Sequence, residues 1–268
     1  MTTPHLEPIF SGNPHGETIL FVQGWPDDAS LWDEAVAALA PKYRCVRTTM
    51  PNYDGTVSAR WGYHTNEMVT AIADLIERVA TNGPITLVLH DWGSYWGHPA
   101  HHRVPQHVKR VAAIDVAPHF QPTTAAQIAG ILSYQSYLLS AFAIGGRIGD
   151  RMTRSAAKRF GAPLDSHKIN AAMNYPYRNV FEDLFSGRGR EMTKGYWPKC
   201  PLLFVYGKKK PFPFHSDRWL DHVKKTGGEV VGLPSNHWVP KHPEFVPVLS
   251  RWLERTDSES TAPREGSV

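Results

Sequence analysis

The chain has 268 residues, of which 41% are apolar and 20% charged, a balance that fits a globular protein with one large domain carrying an insertion or with two small domains. Its net charge of +4 is small, and its basic residues are scattered apart from the lysines at 208–210, which argues against nucleic-acid binding. It contains no run of about 18 apolar residues, so we expect no membrane partner.

The two ends of the chain and its cysteines give three further expectations. The amino terminus lacks a basic start and an apolar stretch, which predicts a cytoplasmic protein. Cys45 and Cys200 lie in or beside apolar segments, and in a reducing compartment we expect both to be free thiols. Residues 256–268 are polar without an apolar period and are expected to form a disordered tail.

Short β-type runs alternate with helical patterns, which predicts an α/β fold with a mostly parallel sheet and helices on both faces. Between the second and third runs, Thr65–Val79 has the period of an amphipathic helix. Residues 119–198 are helical in character, so we expect a helical cap inserted into a core of residues 1–118 and 199–255. The predicted strands are Thr18–Val22, Arg44–Thr48, Ile85–Leu89, Val108–Val116, Leu202–Tyr206 and Glu229–Gly232.

The run Leu-Val-Leu-His-Asp-Trp-Gly-Ser-Tyr-Trp-Gly at residues 87–97 passes from an apolar strand through a polar apex into a helix. Such a connection exposes its apex side chain, here Asp91, at the carboxyl end of the sheet. A carboxylate nucleophile attacks an sp³ carbon and forms an ester on the protein, which favours epoxides or alkyl halides as substrates. An aspartate that caps the following helix is the alternative interpretation.

Two other segments can complete a hydrolytic site. After the first predicted strand, the Gly-Trp-Pro turn at residues 24–26 would point the backbone N–H of Trp25 to the same place as that of Trp92. Two such donors form an oxyanion hole. Near the end of the chain, His237 lies on the loop after the last strand as a candidate base, with Trp238 beside it as a substrate contact and His242 as its competitor.

The helical cap carries tyrosines that suit epoxide chemistry. Tyr134 and Tyr177 are phenols with an ordinary pKa of about 10, so they stay protonated and can donate to an epoxide oxygen. Gln135 follows the first of them as a substrate contact, and Tyr137 and Tyr175 are the second choice of pair. Amphipathic tyrosines that only fill space at a wet cleft are the alternative.

A histidine cluster follows Asp91, at His98, His101 and His102. The spacing of three and four residues places the cluster on one helix face, where it could hold a metal ion. It lacks a carboxylate partner, however, so we expect packing or helix surface, with no metal and no cofactor.

Taken together, these segments resemble the soluble epoxide hydrolases of the α/β-hydrolase fold, across nearly the whole chain. The matching order is the turn at 24–26, the His-Asp-Trp-Gly elbow at 90–93, a helical cap, and the His-Trp pair at 237–238. Tyr-Gln at 134–135 and Tyr-Arg-Asn at 177–179 are similar to the family's two cap tyrosine motifs.

The resemblance implies an activity. Asp91 would open an oxirane to give an ester, with Tyr134 and Tyr177 donating to its oxygen. Water activated by His237 would then release a diol. A small-molecule epoxide and water are therefore the expected partners, and the oligomeric state stays open.

Three positions depart from the family pattern. Gln23 stands where a histidine is usual, Leu89 where a glycine is usual, and Lys210 where the aspartate of the triad is usual. Either the acid lies elsewhere or hydrolysis of the ester is impaired. Asp115, at the end of the fourth predicted strand, is our first candidate for the acid, and Asp217 is the second.

Two rival functions remain. Haloalkane dehalogenases share the elbow, and the Trp92 indole could supply one of their halide-binding donors, although Trp25 replaces the asparagine often found after Gly24. A catalytically impaired ligand-binding protein is the other rival, because fold does not fix function. Lys210 at the usual acid position favours that second rival.

Overall fold

The computed structural model describes residues 3–119, 122, 124–211 and 213–261. Within them, seven strands form one sheet, with each strand hydrogen-bonded to its neighbours. The strands are β1 (Ile9–Gly12), β2 (Thr18–Val22), β3 (Arg44–Arg47), β4 (Ile85–His90), β5 (Val108–Ile114), β6 (Leu202–Gly207) and β7 (Glu229–Leu233). Their order is β1-β3-β2-β4-β5-β6-β7, and all pairs are parallel except β1 with β3.

Helices cover both faces of this sheet. Alternate residues of a strand point to opposite faces, so Ile19 and Phe21 share one core with the helices at 33–39 and 245–261, while Leu20 and Val22 share the other core with the helices at 65–79 and 92–103. The predicted α/β fold is confirmed. The helices are α1 (Asp33–Leu39), α2 (Thr65–Val79), α3 (Trp92–Arg103), α4 (Ala125–Ile144), α5 (Gly146–Phe160), α6 (Tyr175–Ser186), α7 (Arg188–Met192), α8 (Asp217–Lys225) and α9 (Phe245–Thr261).

Helices α4 to α7 lie between β5 and β6 and are called the helical insertion here. The insertion is joined to the loops at the carboxyl ends of the strands by buried hydrogen bonds. The indole N–H of Trp25 donates to Asn174 Oδ1 at 2.8 Å, and the hydroxyl of Tyr53 donates to the carbonyl of Met173 at 3.0 Å. That the insertion is a separate cap domain stays a prediction.

The six predicted strands are present, each with ends within two residues of the predicted ones. The sequence did not reveal β1, because four largely exposed residues at a sheet edge give too short a pattern. Cys45 and Cys200 are free thiols, as predicted. Within the described residues, no helix combines the length and apolar character that crossing a bilayer requires.

The predicted boundary of the disordered tail is wrong. Helix α9 continues to Thr261, so residues 256–261 are helical, and residues 262–268 lie outside the described residues. Thr256 is buried and accepts a hydrogen bond from the guanidinium of Arg110, while Asp257 pairs with Lys42 at 2.8 Å. Polar partners, rather than an apolar period, therefore hold the beginning of this last helical stretch.

Candidate active site

Asp91 lies at the sharp connection between β4 and α3. Its backbone has φ 53° and ψ −123°, a region that residues with a side chain rarely adopt. Its carbonyl accepts the first hydrogen bonds of α3, from the N–H groups of Ser94 and Tyr95. Its side chain makes no capping hydrogen bond to the helix, so the carboxylate is left to face the site.

Small residues let the neighbouring turn approach Asp91 closely. A Cβ on Gly24 would lie 2.3 Å from Asp91 Oδ2, and a Cβ on Gly93 would lie 2.3 Å from the carbonyl oxygen of Val22. Leu89 stands in the family's usual glycine position, and another glycine, Gly97 on α3, makes room for its side chain. Its side chain packs against α3 where a Cβ on Gly97 would come within 2.5 Å of it.

Gln23, the other departure near this turn, is fully buried at the end of β2. Its amide nitrogen and oxygen have no hydrogen-bond partner among the described residues. We find no structural role for a glutamine at this position.

The Asp91 carboxylate has a separate partner for each oxygen. Oδ2 accepts the backbone N–H of Trp25 at 2.7 Å, and Oδ1 lies 3.4 Å from His237 Nε2. On its other side, His237 Nδ1 lies 2.6 Å from Asp115 Oδ2. The fold thus joins Asp91, His237 and Asp115, which are far apart in sequence, into one hydrogen-bonded chain.

Asp115 directly follows β5 and is fully buried. Its Oδ1 accepts hydrogen bonds from the backbone N–H of Gly207 at 2.9 Å and from Lys210 Nζ at 2.5 Å. The lysine in the usual acid position therefore pairs with an acid on the neighbouring strand. Asp217, the second candidate, is exposed in the first turn of α8.

The charges of His237 and its acidic partners stabilise one another. Burial would lower the pKa of His237, but its hydrogen bonds to Asp115 and Asp91 outweigh burial and raise that pKa to about 9. Burial would raise the pKa of Asp115, but His237 and Lys210 lower it to about 2. At neutral pH the site therefore holds an imidazolium between two carboxylates.

Two buried residues that the sequence did not single out hold the histidine loop. Asp27 accepts the indole N–H of Trp238 at 2.7 Å, and burial raises the pKa of Asp27 to about 7. Burial lowers the pKa of His90 to about 4, so this ring is neutral, and its Nε2 lies 3.0 Å from the carbonyl of His237. Neither residue has a sequence signal beyond lying beside a predicted site residue.

Trp238 does not fit the predicted substrate contact. Its ring packs in the core on the α1 and α9 face of the sheet, and its indole N–H is engaged by Asp27. By packing in the core, Trp238 holds the loop that carries His237.

A cluster of aromatic rings lies beside Asp91, built on its neighbour Trp92 and on Trp25, whose backbone N–H the Asp91 carboxylate accepts. Tyr177 packs edge-on against Trp25 and Trp92, with ring centres 5.6 and 5.3 Å apart, and Tyr134 packs edge-on against Tyr177 at 6.2 Å. Burial raises the pKa of both tyrosines, and the charge of Asp91 acts in the same direction. Both phenols therefore stay protonated and can donate hydrogen bonds.

The other residues predicted in the insertion have different surroundings. Gln135 Nε2 donates to the hydroxyl of Tyr134 at 3.4 Å, so it contacts the phenol. Tyr137 is exposed, and the hydroxyl of Tyr175 is directed at the sulfur of Met68. The second choice of tyrosine pair thus lies away from Asp91.

The histidine cluster on α3 is mainly a packing feature. The hydroxyl of Tyr196 lies 3.1 Å from His98 Nδ1 and 2.8 Å from His101 Nδ1, and burial lowers the pKa of both histidines. His102 is exposed. The described residues contain no group of histidine, cysteine and acidic side chains arranged to hold a metal ion.

A model of the α/β hydrolase fold matches residues 17–210. This match spans most of the chain, and the protein therefore belongs to the α/β hydrolase fold family. The sheet order and the sharp turn at Asp91 agree with that assignment.

Individual relatives match over shorter stretches. A cis-3-alkyl-4-alkyloxetan-2-one decarboxylase of Xanthomonas campestris is 29% identical over 94 residues, which are 32% of this chain and 31% of that protein. EphD of Mycobacterium tuberculosis is 33% identical over 91 residues, which are 31% of this chain and 14% of EphD. The matched stretch is thus less than a third of either relative.

Solved structures match over nearly the whole chain. An epoxide hydrolase of Bacillus megaterium has a TM-score of 0.66 at 19% identity and covers 93% of this chain and 96% of its own. The haloalkane dehalogenase DbeA of Bradyrhizobium elkani has a TM-score of 0.67 at 15% identity and covers 95% of each chain. At these identities the two structures show a shared fold.

Proposed function

We propose that the protein is an epoxide hydrolase that works through an ester on Asp91. One observation carries the proposal: the Asp91 carboxylate contacts the His237–Asp115 pair, and Tyr177, with Tyr134 beside it, packs on the tryptophans that flank this carboxylate. A carboxylate nucleophile, a base for water and proton donors for the oxirane oxygen are the groups that this reaction needs.

In the first half-reaction, an Asp91 oxygen attacks an oxirane carbon and the ring C–O bond breaks. The released electron pair stays on the oxirane oxygen, which takes a proton from Tyr134 or Tyr177. Esterification removes the negative charge of Asp91, which had helped to hold the proton on His237. His237 therefore releases its proton, and this proton restores the phenol.

In the second half-reaction, neutral His237 takes a proton from water, and the hydroxide attacks the ester carbonyl. The backbone N–H of Trp25 already donates to Asp91 Oδ2 and, with the N–H of Trp92, suits the oxyanion that forms. When the oxyanion collapses, the bond between the Asp91 carbonyl carbon and the diol oxygen breaks, and that oxygen takes the proton from His237. The carboxylic acid left on Asp91 then gives its proton to His237, which restores the resting carboxylate and imidazolium. Asp115 orients the ring and stabilises its charged form.

The indole contacts argue against the haloalkane dehalogenase alternative. A departing halide needs free N–H donors beside the nucleophile. The Trp25 indole donates to Asn174 in a buried hydrogen bond, and the Trp92 ring packs edge-on against Tyr177. The Trp25 indole donor therefore already has a partner.

Product analysis with a small substrate panel tests the proposal. Purified protein is given styrene oxide, a primary alkyl chloride and a dialkyl oxetan-2-one, with Asp91→Ala as the inactive control. We expect a diol from styrene oxide in the wild type only. Chloride release without diol formation would identify a dehalogenase. Carbon dioxide release from the oxetan-2-one would identify a decarboxylase. If neither a product nor a covalent adduct forms, the protein would be a binding protein.

A further inference from the structure

Lys210 stands in the usual acid position and is buried beside the acid that this chain uses instead. Its side chain is only 6% exposed, whereas the neighbouring Lys208 and Lys209 are exposed. Burial lowers the pKa of Lys210, and the charge of Asp115 acts in the opposite direction. An ammonium group loses hydration on burial, which is tolerated only where an anion compensates for it.

The two oxygens of Asp115 have different partners. Oδ1 is held by Lys210 and by the backbone N–H of Gly207, and Oδ2 faces His237 Nδ1. The Lys210 ammonium also lies 5.0 Å from the centre of the Phe214 ring, which fixes it from a second side. This arrangement fixes the plane of the carboxylate and directs one oxygen to the histidine.

The charge of Lys210 matters most after Asp91 has reacted. In the resting site the His237 imidazolium faces two carboxylates, and Lys210 balances the excess of negative charge. Once Asp91 is an ester, the negative charge of Asp115 alone would still favour a protonated ring. A cation on the other side of Asp115 weakens that hold.

We infer that Lys210 is a positioning residue for ester hydrolysis: its charge offsets that of Asp115, so that His237 can lose its proton and activate water. The inference rests on the proposed function. It also explains why a lysine is compatible with the usual acid position, since the acid has moved to the neighbouring strand.

The other described ionisable groups around His237 do not supply this positive charge. His90 is neutral at pH 7 because burial lowers its pKa to about 4, and burial together with Lys210 lowers the pKa of His215. Among the described ionisable groups around the His237–Asp115 pair, Lys210 thus supplies the positive charge. The groups are Asp27 after β2, His90 and Asp91 at the end of β4, Asp115 after β5, and Lys210 and His215 after β6.

The most direct test titrates His237 by ¹⁵N NMR in an Asp91→Asn background, where the neutral amide stands in for the ester. Three variants are compared: Lys210→Met removes the charge and the donor, Lys210→Gln removes only the charge, and Lys210→Arg keeps both. Lys209→Met is the matched control on the exposed neighbour. The His237 signal is assigned by its loss in His237→Gln.

We expect Lys210→Met and Lys210→Gln to raise the pKa of His237 by about one to two pH units, as expected for charges separated by one carboxylate. Lys210→Arg and Lys209→Met should leave it unchanged. If Lys210→Met does not fold, Lys210→Gln carries the test. An unchanged pKa in Lys210→Gln would overturn the inference, because a hydrogen bond without charge would then suffice.

Single-turnover kinetics with styrene oxide provide the matching readout in otherwise wild-type protein. Lys210→Gln should form the ester at the wild-type rate but shift the acid limb of ester hydrolysis upward by the same one to two pH units. A slower reaction without that shift would mean a packing role only and would overturn the inference. If the wild type forms no ester, the proposed function fails, whereas the NMR titration still decides the role of Lys210.

Discussion

Asp91 combines an unfavourable backbone conformation with a carboxylate that has a partner on each oxygen. A residue held at such φ and ψ values costs about 1–3 kcal/mol and persists only where its surroundings impose it. Here Gly24 and Gly93 allow the close packing that does so, and the side chain is not used to cap α3. These features favour a nucleophile over a helix cap.

Asp115→Asn tests the acid at the level of one residue. The amide cannot stabilise the His237 imidazolium, so we expect alkylation of Asp91 to continue while ester hydrolysis slows by about three orders of magnitude. Intact-mass measurement during turnover of styrene oxide should show the ester accumulating. Asp217→Asn, on the exposed start of α8, is the control and should behave as wild type. Unchanged turnover in Asp115→Asn would contradict the assignment.

At the scale of elements, the insertion supplies the phenols. Tyr134→Phe and Tyr177→Phe each remove one donor to the oxirane oxygen, and we expect each to slow ester formation by about one to two orders of magnitude. Tyr137→Phe is the control: it changes an exposed tyrosine on α4, the helix that also carries Tyr134, and should have no effect on ester formation. Rapid-quench measurement of the ester gives these rates. Wild-type rates in both site variants would make the two tyrosines space-filling residues.

The contact between β4 and α3 gives a stability prediction. Leu89 occupies the space in which a Cβ on Gly97 would lie, so Gly97→Ala should destabilise the fold by about 1–3 kcal/mol through overpacking. Leu89→Val in the same chain makes room and should recover part of that loss. Urea denaturation of both single variants and the double variant measures the coupling. Strictly additive effects would show that the two residues do not compensate for each other.

For the whole molecule, periodicity and chain order predicted most of the architecture, because strands such as β2 and β4 are continuous apolar runs. The same order predicted that Asp91 and His237 meet at the carboxyl ends of the strands. Contacts among polar groups were harder to predict. No local pattern shows that Lys210 pairs with Asp115, or that Trp238 faces the core, since both depend on packing between distant segments.

The helical end of α9 is the clearest case in which composition gave a wrong prediction, since polar composition predicted disorder from residue 256. The contribution of this segment to the stability of the whole fold can be measured. Deleting residues 256–268 removes the partners that Thr256 and Asp257 provide to Arg110, whereas deleting 262–268 retains them. Arg110 keeps its ion pair with Glu17 at 2.8 Å, so the longer deletion removes only part of the partners of this buried guanidinium, and we expect it to be less stable by about 1–3 kcal/mol. Equal thermal stability of the two truncated chains would contradict this role for residues 256–261.

The origin of the oxygen in the diol tests the central claim most directly. With protein in excess over styrene oxide in ¹⁸O-labelled water, the nucleophile mechanism predicts a first-turnover diol that carries ¹⁶O from Asp91. The label should then appear in the peptide that contains Asp91. Direct incorporation of ¹⁸O into the first-turnover diol, with that peptide unlabelled, would contradict an ester on Asp91.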